Sequence, residues 1–436
     1  MKIQKIIFLL LFFSIGVFGQ SSFQFISDKD KIKIPFQFIN NLIFVPIQVN
    51  GVELTFLLDT GVEETILFSL LDKDQVEFNN VEKIKLKGLG NAEFIEGLKS
   101  SKNKIVVTPT FFDPSHTIYI ILNEDINISS GVGIPVNGIM GYGFFKDYPM
   151  EIDYVNHYIT VYKHKSKAVI KKYKKFKKYP IILENNKPYI ETKFAIDTTF
   201  IEAKLLIDLG NSDAVWLFQN KLKSFELPEP NFSDFLGQGF SGPIFGKRAK
   251  LAKFSLGEFV FENPIVAFPD SLSTQSVKLV KNRVGSIGAE ILKRFTLFID
   301  YRNSEIAIRK NRNFSVPFNY NMSGLEIHHI GLKWIPEKIQ FNKSQLIQST
   351  ESVGFYYKFV LKPIYVISNV REDSPAAECG LKKEDIIVSI NKKEAHLLSL
   401  QEINNLLKSE EGKLIKMEVQ RGSQFLNFSF VLKSIL

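Results

Sequence analysis

An internal repeat constrains this chain more than any other feature of its sequence. The residues from Gly141 to Lys163 recur without a gap from Gly288 to Lys310, a displacement of 147 positions. A repeat of this length predicts two homologous units, each with an apolar face to bury. Identical residues at that displacement include Gly141 and Gly288, Lys146 and Lys293, Ile152 and Ile299, Asp153 and Asp300, Tyr154 and Tyr301, Asn156 and Asn303, Ile159 and Ile306, and Lys163 and Lys310.

Each copy also contains an apolar stretch that ends in an acidic turn. Leu57 and Leu58 lead into Asp59, and Leu206 and Ile207 lead into Asp208, which lies 149 positions further along. In both copies short apolar stretches with a period of two are bounded by Gly, Asn, Asp or Pro, a pattern typical of β-strands. We therefore predict two homologous, mainly β lobes in a pseudo-twofold arrangement, at residues 23–163 and 180–310.

A different pattern occupies residues 318–436, where we predict a separate small α+β domain. The pattern indicates two helices, 375–378 and 399–408, and Ser399 and Glu402 have the spacing of a capping box at the start of the second. A polar insertion from Gly331 to Lys362 interrupts the first strands. We expect a chain ended near Lys310 to stay folded, because each domain should bury a core of its own. The predicted strands are 324–330, 364–370, 386–390, 415–419 and 427–432.

The N-terminus has the features of a secretory signal peptide at residues 1–19. Lys2 and Lys5 precede an apolar run from Ile6 to Phe13, and short residues follow up to Gly19. The run is shorter than the roughly 20 residues of a membrane span, so we expect no stable span after cleavage. The prediction is a periplasmic or secreted protein. Cys379 is the single cysteine, so no intrachain disulfide can form.

The net charge of +9 is concentrated in one segment, residues 164–179, which we interpret as a Lys-rich, solvated linker between the lobes. Nine lysines and no acidic residue lie between Lys163 and Lys178. Such a run can attract nucleic acid or anionic lipid, but the aromatic residues of RNA-binding motifs are absent. We predict no nucleic-acid partner.

The two acidic turns suit a paired-carboxylate site. A strand that ends in Asp holds the carboxylate at the edge of a core, and Gly61 lets the backbone approach its partner closely. Two carboxylates that face each other share one proton, because both cannot be ionised at short range. Glycine-rich stretches after each turn are candidate flaps. Their glycines are Gly88, Gly90, Gly237 and Gly239.

With these motifs the sequence resembles the retropepsin and pepsin-like aspartic peptidases, in particular bacterial exported members that have two fused lobes and a PDZ domain. The resemblance covers residues 23–310 and includes a Gly-containing element, with Gly141 and Gly288, about 80 residues after each aspartate. It implies that Asp59 and Asp208 are catalytic. Leu209 stands where the family has Ser or Thr, which removes one hydroxyl from the support of the pair. The implied supporting residues are Thr60, Gly61 and Gly210.

The C-terminal segment resembles bacterial PDZ domains. The sequence motifs of that family are matched by Ser374-Pro375-Ala376 and Gly380-Leu381, followed by Asp385 and Asn391. The resemblance implies that a loop receives a peptide C-terminus, and that the peptide then adds as a strand beside the next β-strand. We assign this loop to Ser323, Gly324 and Leu325. The insertion from Gly331 to Lys362 could cover the groove, and a purely structural domain is the alternative.

Together these features predict an aspartic endopeptidase that acts on a peptide or protein substrate and needs no metal or organic cofactor. The six histidines have no metal-ligand spacing. The alternative from another class is a noncatalytic envelope protein that keeps the two-lobed cleft and the PDZ domain for peptide binding. Leu209 favours that alternative, whereas the retention of both Asp59 and Asp208 favours the enzyme.

Overall fold

The computed structural model describes residues 22–70, 73, 75–87, 94–121, 128–164, 166, 169, 172–222, 225–239, 242–271, 279–338 and 357–436. The predicted signal peptide, Gly88 and Gly90 lie outside these ranges. The first lobe contains β1 (Gln24–Phe25), β2 (Lys31–Pro35), β3 (Gln37–Ile39), β4 (Leu42–Val49), β5 (Val52–Leu58), β6 (Thr65–Leu67), β7 (Val81–Lys87), β8 (Phe94–Thr108), β9 (Phe111–Ile121), α1 (Ile128–Val132), β10 (Gly138–Met140), α2 (Tyr142–Phe145), β11 (Met150–Asp153) and β12 (Tyr158–Tyr162).

The second lobe repeats this plan. Its central strand order β22-β17-β23-β16-β15 reproduces the order β9-β6-β10-β5-β4 of the first lobe. The strands and helix are β13 (Lys177–Pro180), β14 (Ile182–Glu184), β15 (Lys187–Ala195), β16 (Phe200–Ile207), β17 (Val215–Leu217), β18 (Asn231–Gly239), β19 (Gly242–Lys250), β20 (Lys253–Leu256), β21 (Phe259–Glu262), β22 (Ile265–Pro269), β23 (Arg283–Ile287), α3 (Ala289–Leu292), β24 (Phe295–Asp300) and β25 (Glu305–Lys310). A short 3-10 turn spans Gln219–Lys221.

A six-stranded sheet joins the lobes and contains their symmetry axis. Its order is β13-β25-β24-β11-β12-β2, with three strands from each half of the chain. At its centre Met150 pairs with Ile299, and Ile152 pairs with Leu297. The repeat relates Met150 to Leu297 and Ile152 to Ile299, so equivalent residues exchange partners, as a twofold axis requires. The prediction of two homologous β lobes in a pseudo-twofold arrangement is confirmed.

The cores of the two lobes are continuous. Phe56 and Leu58 of β5 and Leu205 and Ile207 of β16 belong to one buried cluster. These strands carry apolar residues on both faces, which is expected for central strands that are covered on both sides. The buried strands therefore form a firm base for the residues that follow them in the chain.

The C-terminal unit is a six-stranded sheet with two short helices. The predicted helix at 375–378 is confirmed, the second helix is one residue shorter at each end, and both hydrogen bonds of the Ser399 and Glu402 capping box are present. Its elements are β26 (Leu325–Lys338), β27 (Tyr357–Val370), α4 (Pro375–Glu378), β28 (Ile386–Ile390), β29 (Lys393–Glu394), a 3-10 turn (Ala395–Leu397), α5 (Leu400–Leu407), β30 (Leu414–Arg421) and β31 (Gln424–Val431).

The predicted polar insertion differs from what the structure contains. β26 continues to Lys338, and β27 begins at Tyr357, so both ends of the insertion extend a two-stranded hairpin. The polar insertion predicted from Gly331 to Lys362 is therefore strand at both ends, where Leu332, Trp334 and Pro336 share one face of β26 and pair with residues of β27. Residues 339–356 lie outside the described ranges.

The Lys-rich segment is not wholly a solvated connector. Lys177–Pro180 forms β13, which pairs with β25 at the edge of the joining sheet. Lys172 bonds to Glu151, a residue that is 2% exposed, and Phe176 is buried against Phe298. The basic segment is therefore bound to the lobes by the ion pair with Glu151 and by the packing of Phe176 on Phe298.

The lobe core does not end at Lys310. Phe314 packs against Phe261 and Phe295, at ring-centroid distances of 5.2 and 5.6 Å. The Arg294 guanidinium, which is buried, donates to the Phe314 carbonyl at 3.2 Å and lies 3.8 Å from the centre of the Phe318 ring. Residues 311–318 therefore complete the second lobe.

We expect a chain ended at Lys310 to melt well below one ended after Phe318. The shorter chain loses the packing of Phe314 and Phe318, and burial of one such side chain contributes about 1.5–3 kcal/mol. It also leaves Arg294 Nη1 without its two acceptors, the carbonyls of Phe314 and Val316. The melting temperatures of the two chains, compared by calorimetry, test this. Equal melting temperatures would show that residues 311–318 contribute nothing to the lobes.

Candidate active site

The two aspartates of the repeat occupy equivalent positions at the ends of buried strands. Asp59 follows β5 and Asp208 follows β16. The Asp59 amide donates to the Met140 carbonyl at 3.1 Å, and the Asp208 amide donates to the Ile287 carbonyl at 2.9 Å. Met140 and Ile287 end β10 and β23, which run parallel to β5 and β16. The predicted Gly-containing elements therefore fix both acidic turns.

The side chains of Asp59 and Asp208 face each other between the lobes, close enough for the charge of Asp59 to raise the pKa of Asp208. The Gly61 amide donates to Asp59 Oδ1 at 2.6 Å. A methyl group added at Gly61 would lie 3.0 Å from Asp59 Oδ1 and 3.3 Å from Asp208 Oδ1. At Gly210 the same addition would lie 2.3 Å from Asp59 Oδ2. A side chain at Gly210 would therefore displace the Asp59 carboxyl group, whereas one at Gly61 would require its neighbours to shift by a few tenths of an ångström.

Thr60 supports the pair from below. Its buried hydroxyl donates to the Ile207 carbonyl at 2.6 Å and accepts the Leu209 amide at 3.1 Å. Leu209 is fully buried and has no hydroxyl that could form the equivalent hydrogen bond to the first lobe. The hydroxyl support beneath the pair is thus one-sided, with both of these bonds made by Thr60.

Asparagine turns that the sequence analysis missed reinforce the same junction. Asn41 Nδ2 donates to the Ser212 carbonyl at 2.9 Å, and Asn186 Nδ2 donates to Glu63 Oε1 at 2.6 Å. Ser212 and Glu63 each lie four residues after an aspartate of the pair. Each lobe therefore holds the acidic turn of the other. The sequence feature that could have indicated these contacts is an Asn-Asn pair in each copy, at 40–41 and 185–186. All four asparagines have positive φ angles, as turn residues often do.

Burial and mutual repulsion set the protonation of the pair. Burial raises the pKa of Asp59, against the opposing effects of the Gly61 amide and the Lys187 ammonium. Burial and the neighbouring Asp59 carboxylate together raise the pKa of Asp208 to about 7, against the opposing effect of the Arg283 guanidinium. The pair therefore retains a proton at pH values where isolated carboxyl groups have lost theirs. Arg283 and Lys187 were not predicted, because neither belongs to the repeated motif.

The flap candidates of the second lobe lie in a hairpin. Gly237 and Gly239 are near the end of β18, which pairs with β19. At its base Arg248 bonds to Asp234 of β18 and to Asp213, both at 2.7 Å. Asp213 follows the second acidic turn, so an ion-pair network connects this hairpin to the Asp208 loop. Contact of either glycine with a substrate stays a prediction.

The predicted peptide-binding loop is packed against its surroundings. Ser323 is fully buried, its carbonyl accepts the Ala376 amide at 3.1 Å, and its hydroxyl accepts the Leu325 amide at 3.1 Å. Gly324 has a φ of +82°, and a methyl group there would lie 2.3 Å from the Ser374 side chain. The Leu325 amide already has a partner, so this arrangement gives no support to the predicted carboxylate-binding role.

Helix α5 of the C-terminal unit contacts the first lobe. Asn404 Nδ2 donates to Asn40 Oδ1 at 3.2 Å, and the Asn40 amide bonds to Gln401. Gly133, which follows α1, lies so close to Leu400 that an added methyl group would be 3.0 Å from Leu400 Cβ. The first lobe therefore covers part of the side of α5.

Comparison with known proteins gives one sequence match. Residues 366–421 match the family model described as PDZ domain. The C-terminal region is thus a PDZ region. A search of curated proteins finds no match to the sequence. Among solved structures, the aspartic proteinase from Irpex lacteus is similar with a TM-score of 0.42 and 12% identity, over 66% of this chain and 99% of that one. A similarity this weak carries no inference about activity.

Among the described residues, no group of three or more His, Cys, Asp or Glu side chains could hold a metal ion. In the same parts of the chain, no helix is long and apolar enough to cross a membrane.

Proposed function

We propose that this chain is an aspartic endopeptidase and that Asp59 and Asp208 are its catalytic pair. The observation that carries the proposal is the pair itself, two carboxyl groups that come from equivalent strands of the two lobes and would both contact a methyl group added at Gly61. The resemblance of both acidic turns to aspartic peptidases supports the same assignment. The substrate class is a peptide or protein chain.

The chemistry follows from the shared proton. A water held between the carboxyl groups attacks the peptide carbonyl, and the ionised carboxylate takes the proton of that water. The protonated partner donates to the oxygen of the carbonyl as negative charge develops there. This is general acid–base catalysis without a covalent intermediate, and it requires neither a metal ion nor an organic cofactor. The two aspartates act as one coupled unit.

The rest of the chain has matching proposed roles. Residues 1–19 direct export to the periplasm or the medium, and the lobes occupy residues 23–163 and 177–318, joined by a Lys-rich segment. Gly88, Gly90, Gly237 and Gly239 belong to flaps over the cleft. The PDZ-like domain at 318–436 binds a C-terminal peptide ligand. Peptide binding by this domain is the proposed role with the least structural support, because Ser323 and Leu325 already have partners.

One observation favours a second candidate, a noncatalytic protein that binds peptides in the same cleft. Leu209 fills a buried position beneath the pair without a hydroxyl, so the support of the carboxyl groups is incomplete on one side. The two candidates make opposite predictions for peptide hydrolysis.

Digestion of a peptide library across a pH series separates them. We expect cleavage at acid pH that persists toward pH 7 and falls above it, because the pKa of Asp208 is raised to about 7 and the last shared proton leaves in that range. Mass spectrometry of the products gives the rate at each pH, with the Asp59→Asn protein as the blank. Peptides that bind to the protein and are never cut at any pH would establish the noncatalytic candidate instead.

A further inference from the structure

The distal part of the β26–β27 hairpin has one apolar face. We call residues 332–338 of β26 and 357–363 of β27 the ribbon. Trp334 pairs with Leu361, and Pro336 pairs with Phe359. Residues directly opposite in an antiparallel pair, and residues two apart along a strand, share a face. The ribbon therefore has most of its apolar residues on one side, whereas Ile335 and Val360 pair on the other. Those on the apolar side are Leu332, Trp334, Pro336, Tyr357, Phe359, Leu361 and Pro363.

This apolar face is open to solvent. Trp334 is 60% exposed and Phe359 61%, and Leu332, Tyr357 and Leu361 are 55, 50 and 43% exposed. Beyond the ribbon, β27 pairs with β28 at Tyr365 and Val366, and no third strand among the described residues pairs with the ribbon itself. Contiguous apolar surface of this kind on a folded protein marks a place of interaction.

The other face of the ribbon carries three lysines and one glutamate around the Ile335–Val360 pair. Lys333 stands opposite Lys362, and Glu337 stands opposite Lys358. Glu337 is the single acidic residue of the ribbon, and it bonds to Lys362 at 2.9 Å, so its charge is already matched. Lys333 and Lys358 are exposed and have no ion pair in the described part of the chain. The ribbon thus carries a net positive charge beside its apolar face.

A lipid bilayer with anionic headgroups matches both faces. Trp and Tyr are enriched at the boundary between headgroups and acyl chains, where one end of the ring is apolar and the other is hydrated. Lysine side chains bury their stems and keep their ammonium groups among the headgroups. We propose that the ribbon binds the surface of an anionic lipid bilayer, with its Trp334 and Phe359 face in the headgroup region. The inference does not depend on the peptidase proposal.

Tryptophan fluorescence can report whether the ribbon binds lipid. The chain has two tryptophans, Trp216 and Trp334, and Trp216 donates to Asp213 in the second lobe. In a Trp216→Phe protein the emission comes from Trp334 alone. We expect vesicles of phosphatidylglycerol and phosphatidylcholine to shift this emission to the blue, and brominated acyl chains to quench it. Vesicles of phosphatidylcholine alone should bind much more weakly, because the lysines then lack anionic partners.

Variants identify the surface that binds. Phe359→Ser and Leu332→Ser, made together, should weaken vesicle binding by at least about tenfold. Phe425→Ser is the matched control, since Phe425 is also 61% exposed but lies on β31, outside the ribbon. It should leave binding within about twofold of the parent. Lys333→Glu with Lys358→Glu should remove the preference for anionic vesicles. Circular dichroism melting confirms that each variant is folded.

Three results would overturn the inference. One is an emission spectrum of Trp334 that stays unchanged up to millimolar anionic lipid. Another is a blue shift that appears on raising the protein concentration without lipid, which would mean that the ribbon is buried against a second copy of the chain. The third is equal vesicle binding by the parent and by the Phe359→Ser, Leu332→Ser protein, which would place any lipid contact elsewhere on the molecule.

Discussion

Asp59→Asn and Asp208→Asn are each expected to abolish peptide hydrolysis. A lone carboxyl group cannot both take a proton from the attacking water and hold one for the carbonyl oxygen, so loss of either member removes the whole mechanism. The double variant should be no less active than the single variants, because the two groups act as one unit. Turnover of a peptide found in the library digestion, measured for all three proteins, tests this.

The same substitutions should raise stability at neutral pH. The pKa of Asp208 is raised from 3.8 to about 7, so between these values the folded protein holds a proton that the unfolded chain has released. The free energy of unfolding of the parent therefore falls as pH rises through that interval. Asp208→Asn removes the titration and should flatten the curve. Melting temperatures at pH 4 and pH 8 should differ less for the variant than for the parent.

Asp153→Asn is the matched control for both measurements. Asp153 belongs to the repeat, as the pair does, but its carboxylate accepts the amides of Val155 and Asn156 in a hairpin turn of the joining sheet. It should retain activity and show no gain in stability at pH 8. If Asp59→Asn cut the peptide at the parent rate, or if Asp153→Asn were as inactive as the pair variants, the assignment of the catalytic pair would be wrong.

Gly210→Ala should lower activity by about 100-fold or more, with less effect on the fold than on turnover. The added methyl group would lie 2.3 Å from Asp59 Oδ2 and 2.4 Å from Asp59 Cγ, so the carboxyl group has to move. Displacement of a catalytic group by about 1 Å can cost about 100-fold in rate. The value of kcat should fall much more than the affinity for a peptide that binds without being cut.

Gly131→Ala is the appropriate comparison. Gly131 lies in α1 of the first lobe, and an added methyl group would meet nothing closer than His328 Nε2 at 3.8 Å. That variant should keep the parent turnover. Full activity in Gly210→Ala would mean that Asp59 tolerates a different position, and that the tight approach of the two acidic turns has no catalytic role.

The repeat allowed most of the lobe architecture to be predicted from sequence. Two copies of one strand-and-turn pattern have to pack as equivalent units, and the exchange of partners between β11 and β24 follows from that symmetry. The consequence of Leu209 was also predictable, because a missing hydroxyl removes a bond whatever the details of packing. Thr60 alone bonds across to Ile207 and Leu209.

Contacts between distant segments were beyond the sequence. Asn41 and Asn186 reach the opposite acidic turns only once both lobes are assembled, and polar turn residues have no period from which such contacts can be read. The same holds for Arg283, because only the folded chain brings its guanidinium close enough to lower the pKa of Asp208. The ribbon is a different case, since Leu332, Lys333 and Trp334 alternate as strand residues do, but the apolar residues Ile335 and Pro336 that follow break the period of two.

The central pairing of the joining sheet has a consequence for biosynthesis. Met150 and Ile299 come together only after a loop of almost 150 residues closes, and such non-local pairing is slow compared with local folding. Domains generally fold from the N-terminus as the chain emerges from the ribosome. Asp59 is therefore translated and enclosed by its own lobe well before Asp208 exists. On the proposed function, a ribosome-bound chain has no hydrolytic activity until its second half has been made.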